Sequence, residues 1–225
     1  MYGLIIKALE EAQSDRTIKF TVFTGTGDYY SSGHDLNSLL LDSSDFQIEN
    51  QLFYQFIQSL IGHSKPLIAL VNGPSVGMAT VTLPLFELVL SSDKATFLVP
   101  TSSLGLNPIA GSTRTFPQIL SYSKACEMLL FGQTLTAKEA ELSGLVTRVF
   151  PHNSFHSDTK AYLENISKLP ERALMSCLSL LRHERRGSLE QVCRKEAQLF
   201  LEQLKTASTQ KIISRKLSSR TKSKL

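Results

Sequence analysis

The sequence predicts an α/β core followed by a helical C-terminal region. Three observations carry that prediction. Short apolar runs ending at glycine-rich turns alternate with helical periods through the first two thirds of the chain. One of those runs, "KPLIALVNG", is apolar throughout, the pattern of a strand covered on both faces. Beyond about residue 151 the periodicity is almost wholly helical.

In chain order, Tyr2, Ile5, Leu9 and Ala12 recur at helical spacing and predict an opening amphipathic helix. "IKFTVFTG" alternates Ile18, Phe20 and Val22 with polar or smaller residues, a strand that stops at a glycine turn. Residues 45–61 read as a helix with Phe46, Leu52, Phe53, Phe56 and Leu60 inward. The apolar strand of "KPLIALVNG" follows. "GPSVGMATVTLPLF" then predicts a turn and an apolar helix kinked or ended at Pro84. "LVLSS", "ATFLVP" and "LVTRVF" are further strands. Between the last two, Thr136 to Glu139 ("TAKE") is a capping-box helix start and Gly144 a stop. Three helices are predicted over 154–168, 171–185 and 188–206, separated by Pro170 and Gly187. The organisation is therefore a core over 1–150, a helical region over 151–207 and a basic tail over 208–225.

Composition excludes several classes. Of the 225 residues 42% are hydrophobic and 20% charged, ordinary for a globular chain. The net charge of +4 is mild, and 6 of the 24 cations fall in the acid-free "KIISRKLSSRTKSKL". Such an end reads as a solvated extension and not as a nucleic-acid interface. Cys126, Cys177 and Cys193 are odd in number and widely spaced, against a disulfide framework or a zinc site. His63, His152, His156 and His183 lack ligand-like spacing and read as surface residues, so no metal is expected. No apolar run reaches bilayer length. Ser223-Lys224-Leu225 matches the tripeptide read by the peroxisomal import receptor, which predicts the peroxisomal matrix.

The chemistry is sought where strands end, because ligands of α/β sheets collect there. Two junctions stand out, "SSGHDL" and "VNGPSVGM". Ser32, His34 and Asp35 are too close in sequence to form a triad, which is assembled from separated segments. "TGTGDYY" lacks the glycines and lysine of a nucleotide loop. "SSGHDL" also suits a plain turn and helix cap. The reading that uses both junctions is a backbone one. Gly33 before His34, and Gly77 before Met78, free two peptide N–H groups to face one carbonyl oxygen.

Four stretches in order, "YYSSGHDLNSL", "KPLIALVNGPSVGMA", "ATFLVPTSSLGLNP" and "MLLFGQTLTAKEAELSGLVTRVF", resemble the crotonase (enoyl-CoA hydratase/isomerase) superfamily, nearest its peroxisomal delta isomerases. The resemblance implies a crotonase-like (ClpP/crotonase) spiral of β-β-α units with a C-terminal helical trimerisation region. It also implies a fatty enoyl-CoA as ligand, with no separate cofactor. By resemblance His34 and Met78 supply the oxyanion-hole N–H groups, Gly77 preceding the second. Ser31, Ser32, Gly33, His34, Asp35 and Leu36 line the CoA channel, and the His34 side chain is incidental.

The sequence departs from the pattern where the catalytic carboxylates should stand. The isomerase glutamate follows the proline of "L-G-x-x-P-E", but "LGLNPIAGS" places Ile109 there. The two hydratase glutamates correspond to Val81 and Thr101. Asn107 does not ionise near neutral pH, and Glu87 matches a structural acid, so neither replaces the base readily. The family's first β-hairpin, its "N-R-P" loop and the acyl-CoA-binding domain of some isomerases have no counterpart ahead of Tyr2, which predicts an unpaired edge strand. The expected function is a 3-enoyl-CoA to 2-enoyl-CoA isomerase of peroxisomal β-oxidation. The alternative is a catalytically impaired acyl-CoA-binding protein, or an oligomer partner of an active paralogue. The assembly implied is a homotrimer or hexamer.

Overall fold

The computed structural model describes residues 1–40 and 44–222, with the side chains at 44–50, 184–187 and 220–222 outside the description. The inward Phe46 and the tripeptide Ser223-Lys224-Leu225 therefore lie outside the described residues. Four parallel strands form the main sheet: β1 (Thr21–Thr24), β2 (Leu67–Val71), β4 (Leu88–Ser92) and β7 (Arg148–Phe150), in the order β1-β2-β4-β7. A smaller sheet joins β3 (Ser75–Val76), β5 (Thr96–Leu98) and β6 (Leu135–Thr136). β3 pairs parallel to β5, and β6 antiparallel to it.

The all-apolar run becomes β2, buried along its whole length. Its side chains alternate between two cores, as a strand's must. Leu67, Ala69 and Val71 join the main cluster, and Ile68 and Leu70 a second one with Leu90 and Phe155. Helix α7 (Phe155–Ser167) covers that second face through Tyr162, Leu163 and Ile166. Against the main face lie α1 (Tyr2–Ser14), with Leu9 and Ala12 buried, and α2 (Ser44–Gly62), with Phe56, Ile57, Leu60 and Ile61 buried. The capping box forms: Thr136 Oγ1 accepts from Glu139 N at 3.3 Å, and Glu139 Oε2 from Thr136 N at 2.8 Å. It opens α6 (Ala137–Leu142). Two short helices go beyond the predicted elements, α4 (Ser112–Ile119) and α5 (Tyr122–Leu129).

The strand of "IKFTVFTG" forms as β1 and stops before Gly25, with Phe20 on the α7 side and Phe23 packed against the main core. Four expectations are corrected. The apolar helix after Gly77 is a single turn, α3 (Met78–Val81), followed by a 3₁₀ turn at Leu83–Leu85 into which Pro84 fits at the start. Gly187 does not separate two helices, because α8 runs unbroken over Glu171–Leu204. A helix-interior glycine costs about 1 kcal/mol. Leu189, Phe200 and Leu204 bury themselves on the core beyond it, at roughly 1.5–3 kcal/mol for each large side chain.

The basic tail is not a solvated extension. It forms α9 (Ala207–Lys222), whose Thr209, Ile213 and Leu217 recur every fourth residue on one face. Thr209 and Ile213 are buried and Leu217 packs against the main core. Thr209 Oγ1 donates to Gly105 O at 3.2 Å, and Gln210 Nε2 to Leu39 O at 3.1 Å. Finally, His63 is not a surface residue but 2% exposed. It sits at the end of α2 beside Thr21 Oγ1, 3.0 Å from Nε2. Among the described residues no helix is long and apolar enough to cross a membrane.

Candidate active site

The two glycine turns meet at the end of the sheet. Tyr30 N donates to Pro74 O at 3.1 Å, and Val76 N to Ser31 O at 3.0 Å, so Ser31 and Ser75 form an isolated parallel bridge. That bridge brings two segments more than forty residues apart side by side. Gly33 has φ +85°, and a Cβ there would stand 2.5 Å from Val76 O and 3.6 Å from Met78 N. No side chain fits, and the close approach of backbone to backbone depends on glycine. Gly77 has φ +60° and donates its N–H to Leu98 O at 2.7 Å, fixing the peptide that opens α3. Met78 supplies the first N–H of that helix. It has no acceptor among the described residues, as one of the first donors that a helix leaves over.

A cavity of about 100 Å³ opens between these turns. Ser32, Gly33, His34, Leu36, Gly77 and Met78 contribute its first wall, and Val76 joins them. Ser31 and Asp35 stand beside it. Ser31 holds the bridge and lines a neighbouring cavity of about 200 Å³. Asp35 Oδ1 accepts from Asn37 N at 2.9 Å and caps the 3₁₀ turn Leu36–Leu39.

The His34 ring is not incidental to the fold. Its Nδ1 is 2.8 Å from Tyr2 Oη and its Nε2 is 2.9 Å from Ser38 Oγ. The ring stacks on Tyr2 with centroids 5.7 Å apart and meets Phe53 edge-on. Those contacts tie the first glycine turn to α1 and α2, and so hold the main chain at position 34.

The opposite wall comes from the end of β5 and from the last two helices. Pro100, Thr101, Leu104, Leu106 and Ile109 line it, with Phe200 from α8 and Lys216 from α9. The segment bearing Ile109 is anchored from α8. Asn107 N donates to Gln203 Oε1 at 2.6 Å, Gly111 N to Glu196 Oε2 at 2.6 Å, and Thr113 N to Glu196 Oε1 at 2.9 Å. The Glu196 carboxylate thus occupies the N-terminus of α4, where a negative charge is favoured. Burial pushes the Glu196 carboxyl up from the ordinary range, and hydrogen bonds from Thr113 and Gly111 pull it back. Cys193, beside Gly111, is unsuited to nucleophilic work because burial pushes its thiol up to about 12.

No aspartate or glutamate lines the cavity among the described residues. Ile109 is there, 8% exposed, and Thr101 with it, whereas Val81 is buried in the core. Glu87 stands elsewhere: Arg182 grips it through Nε to Oε1 at 2.7 Å and Nη2 to Oε2 at 2.6 Å, and Leu67 N donates to it at 2.8 Å. Asn107 Nδ2 donates to Pro108 O and Glu196 O. Among the described residues no cluster of His, Cys, Asp or Glu could hold a metal ion. The wall residues Phe53, Phe200 and Lys216, and the anchor Glu196, had no local signature. Phe200 belongs to an ordinary apolar stripe, and Lys216 is one cation in a basic run.

A helix-start amide and a glycine turn, joined by a two-strand bridge, thus face an apolar slot at the end of the sheet. The chain belongs to the enoyl-CoA hydratase/isomerase family, whose pattern it matches over residues 3–221. It is 41% identical over 229 aligned positions to "Enoyl-CoA delta isomerase 3, peroxisomal" of Mus musculus, covering all of this chain and 72% of that one. It is 43% identical over 206 positions to "Enoyl-CoA delta isomerase 2" of Homo sapiens, covering 89% of this chain but only 52% of that one. The chain therefore spans about half the length of the human relative. Among solved structures it resembles an enoyl-CoA hydratase/isomerase from Pseudoalteromonas atlantica T6c, with a TM-score of 0.87 and 25% identity over 97% of this chain and 86% of that one. Pseudomonas aeruginosa OdaA superposes with a TM-score of 0.86 at 27% identity, over 96% and 87% of the two chains. The crotonase fold expected from the sequence is the fold observed.

Proposed function

We propose that the chain is an enoyl-CoA delta isomerase-like protein that binds a fatty enoyl-CoA and polarises its thioester carbonyl with the main-chain N–H groups of His34 and Met78. The observation that carries this reading is the approach of Gly33 to the Met78 amide across the head of an apolar slot. Two donors aimed at one oxygen stabilise the charge that develops when a thioester becomes an enolate. The names of the mouse and human relatives support a shift of the double bond from 3-enoyl-CoA to 2-enoyl-CoA. The mouse relative's name and Ser223-Lys224-Leu225 support a peroxisomal setting in fatty acid β-oxidation.

A second reading is favoured by Ile109. Moving a double bond removes a proton from the α carbon and returns it at the γ carbon, and an alkyl side chain can do neither. With no carboxylate in the described lining, the pocket keeps the binding and polarising half of the chemistry and lacks the shuttle. The chain then acts as an acyl-CoA-binding protein, or as a subunit mixed into trimers or hexamers with an active paralogue.

One assay separates the readings: conjugation of a 3-enoyl-CoA followed by absorbance, for the natural chain and for Ile109→Glu. Loss of a general base costs about 10²–10⁴-fold, so the variant is expected to exceed the natural chain by at least about a hundredfold. A glutamate there would be desolvated by the apolar wall and so made more basic, as the reaction requires. Rapid turnover by the natural chain, unchanged in the variant, would defeat the impaired reading.

A further inference from the structure

The loop ahead of the first glycine turn, residues 25–30, has no helix or strand of its own. A side chain from elsewhere holds its path: Asn72, just past the end of β2 and 5% exposed. Asn72 Oδ1 accepts from Gly25 N at 2.9 Å. Asn72 Nδ2 donates to Gly27 O at 2.8 Å and to Tyr29 O at 3.4 Å. A primary amide suits this place, because it carries an acceptor and two donors in one short side chain. From Asn72 onward the contact is main chain against main chain. A Cβ at Gly73 would stand 1.8 Å from Asp28 O, and one at Gly25 2.1 Å from Tyr29 O. Pro74 O then accepts from both Tyr30 N at 3.1 Å and Ser31 N at 3.3 Å. The Ser31–Ser75 bridge and the approach of Gly33 to Val76 O complete the seam, which leads to the amides of positions 34 and 78.

We infer that Asn72 is a positioning residue of this site: its amide fixes the loop over 25–30 and thereby sets how the His34 amide stands to the Met78 amide. The inference rests on the acyl-CoA reading above and adds to it a residue that touches no substrate. Asn72 lines neither the cavity between the turns nor its neighbour, so its effect on a ligand passes through the main chain. The two amides have separate supports. Met78 follows Gly77, whose N–H is fixed on Leu98 O, and Thr80 Oγ1 ties α3 to β3 by donating to Ser75 O at 2.7 Å. Position 34 is held from one side by the ring contacts with Tyr2 and Ser38, and from the other by the seam that starts at Asn72. Without the Asn72 amide, Gly25 N and Gly27 O turn to water, since the loop is largely exposed, and its path is no longer fixed. A misplacement of about 1 Å is enough to spoil alignment at a reacting centre.

The test is the infrared difference spectrum of butyryl-CoA, labelled with carbon-13 at its carbonyl, bound to the full natural chain and to two variants. Asn72→Leu keeps the volume of the side chain and removes its polar ends, and Asn72→Ala removes both. The band of bound ligand is read by itself, so weaker affinity alone does not move it. The natural chain should lower the carbonyl frequency relative to water, and each variant should lose about half of that shift, the share of one donor in two. Phe155→Leu is the control. It weakens the core on the other face of the sheet and should keep the whole shift, which separates alignment from general loss of stability. A shift of natural size in a folded Asn72 variant would overturn the inference, and so would an equal loss in Phe155→Leu. Failure of both Asn72 variants to fold would leave Asn72 a part in folding alone and overturn it too. So would a folded Asn72 variant that binds no butyryl-CoA, because Asn72 would then serve binding and not alignment. No shift in the natural chain, or no binding by it, would instead bring down the acyl-CoA reading itself.

Discussion

Two glycines with positive φ do different work at the site. At Gly77 a Cβ would meet nothing nearer than Pro100 Cδ at 3.9 Å, so an alanine there pays only for its backbone conformation. At Gly33 the same conformational cost is joined by a 2.5 Å approach to Val76 O. Gly33→Ala is therefore expected to lose more stability in urea unfolding than Gly77→Ala, by about 1–3 kcal/mol, and to weaken acyl-CoA binding. Equal losses at the two positions would show that the turns are not in contact. Both glycines were legible in the sequence, because each stands in a short junction motif, "SSGHDL" or "VNGPSVGM". Lys216, Phe200 and Glu196 were not, since each reaches the site from more than eighty residues beyond Ile109's loop or from the helix after it, and nothing near them records that approach. Glu196 in particular reads from sequence as one more charge on a helix. Only the fold shows that it caps α4 from outside.

Between elements, the connection that matters most is buried and polar. Arg182 of α8 holds Glu87 bidentately and also donates to the carbonyls of His63 and Lys65. Lys65 Nζ donates to Ala12 O at 2.7 Å, at the end of α1. His63 lies among these cations, 2% exposed, and burial together with Arg182 and Lys65 lowers its pKa from 6.5 to about 4. The folded state therefore keeps the ring neutral where the unfolded chain takes up a proton. Stability should fall as pH drops from about 6.5 toward 4, with a slope for this group approaching about 1.4 kcal/mol per pH unit. His63→Gln should flatten that window in urea titrations at stepped pH. A slope as steep in the variant as in the natural chain would remove His63 from the account.

The same scale shows what periodicity can and cannot predict. β2, α1 and the α6 cap were legible because their signals are local. α8 was not, since the burial of Leu189, Phe200 and Leu204 decides against the stop that Gly187 suggests. α9 was hidden by its cations, although Thr209, Ile213 and Leu217 already spelled an apolar face. The two-residue strands β3 and β6 exist only because tertiary neighbours pair with them.

The whole molecule leaves apolar surface uncovered. Leu180 and Leu181 of α8 are 76% and 70% exposed, and Phe131 and Leu142 are 72% and 77% exposed. Large exposed apolar side chains on one chain are commonly covered by another, in keeping with the proposed trimer or hexamer. Light scattering after gel filtration should give three or six chains per particle, and Leu180→Asp with Leu181→Asp should give one. A natural chain that stays monomeric at micromolar concentration would contradict the assembly.

The central claim is that two main-chain amides polarise one thioester carbonyl. An infrared difference spectrum of a saturated acyl-CoA labelled with carbon-13 at that carbonyl, free and bound to the natural chain, reads it directly. The account predicts a carbonyl stretch at lower frequency when bound than in water, because two aligned donors draw charge onto the oxygen. A band at the solution frequency or above it would contradict the claim.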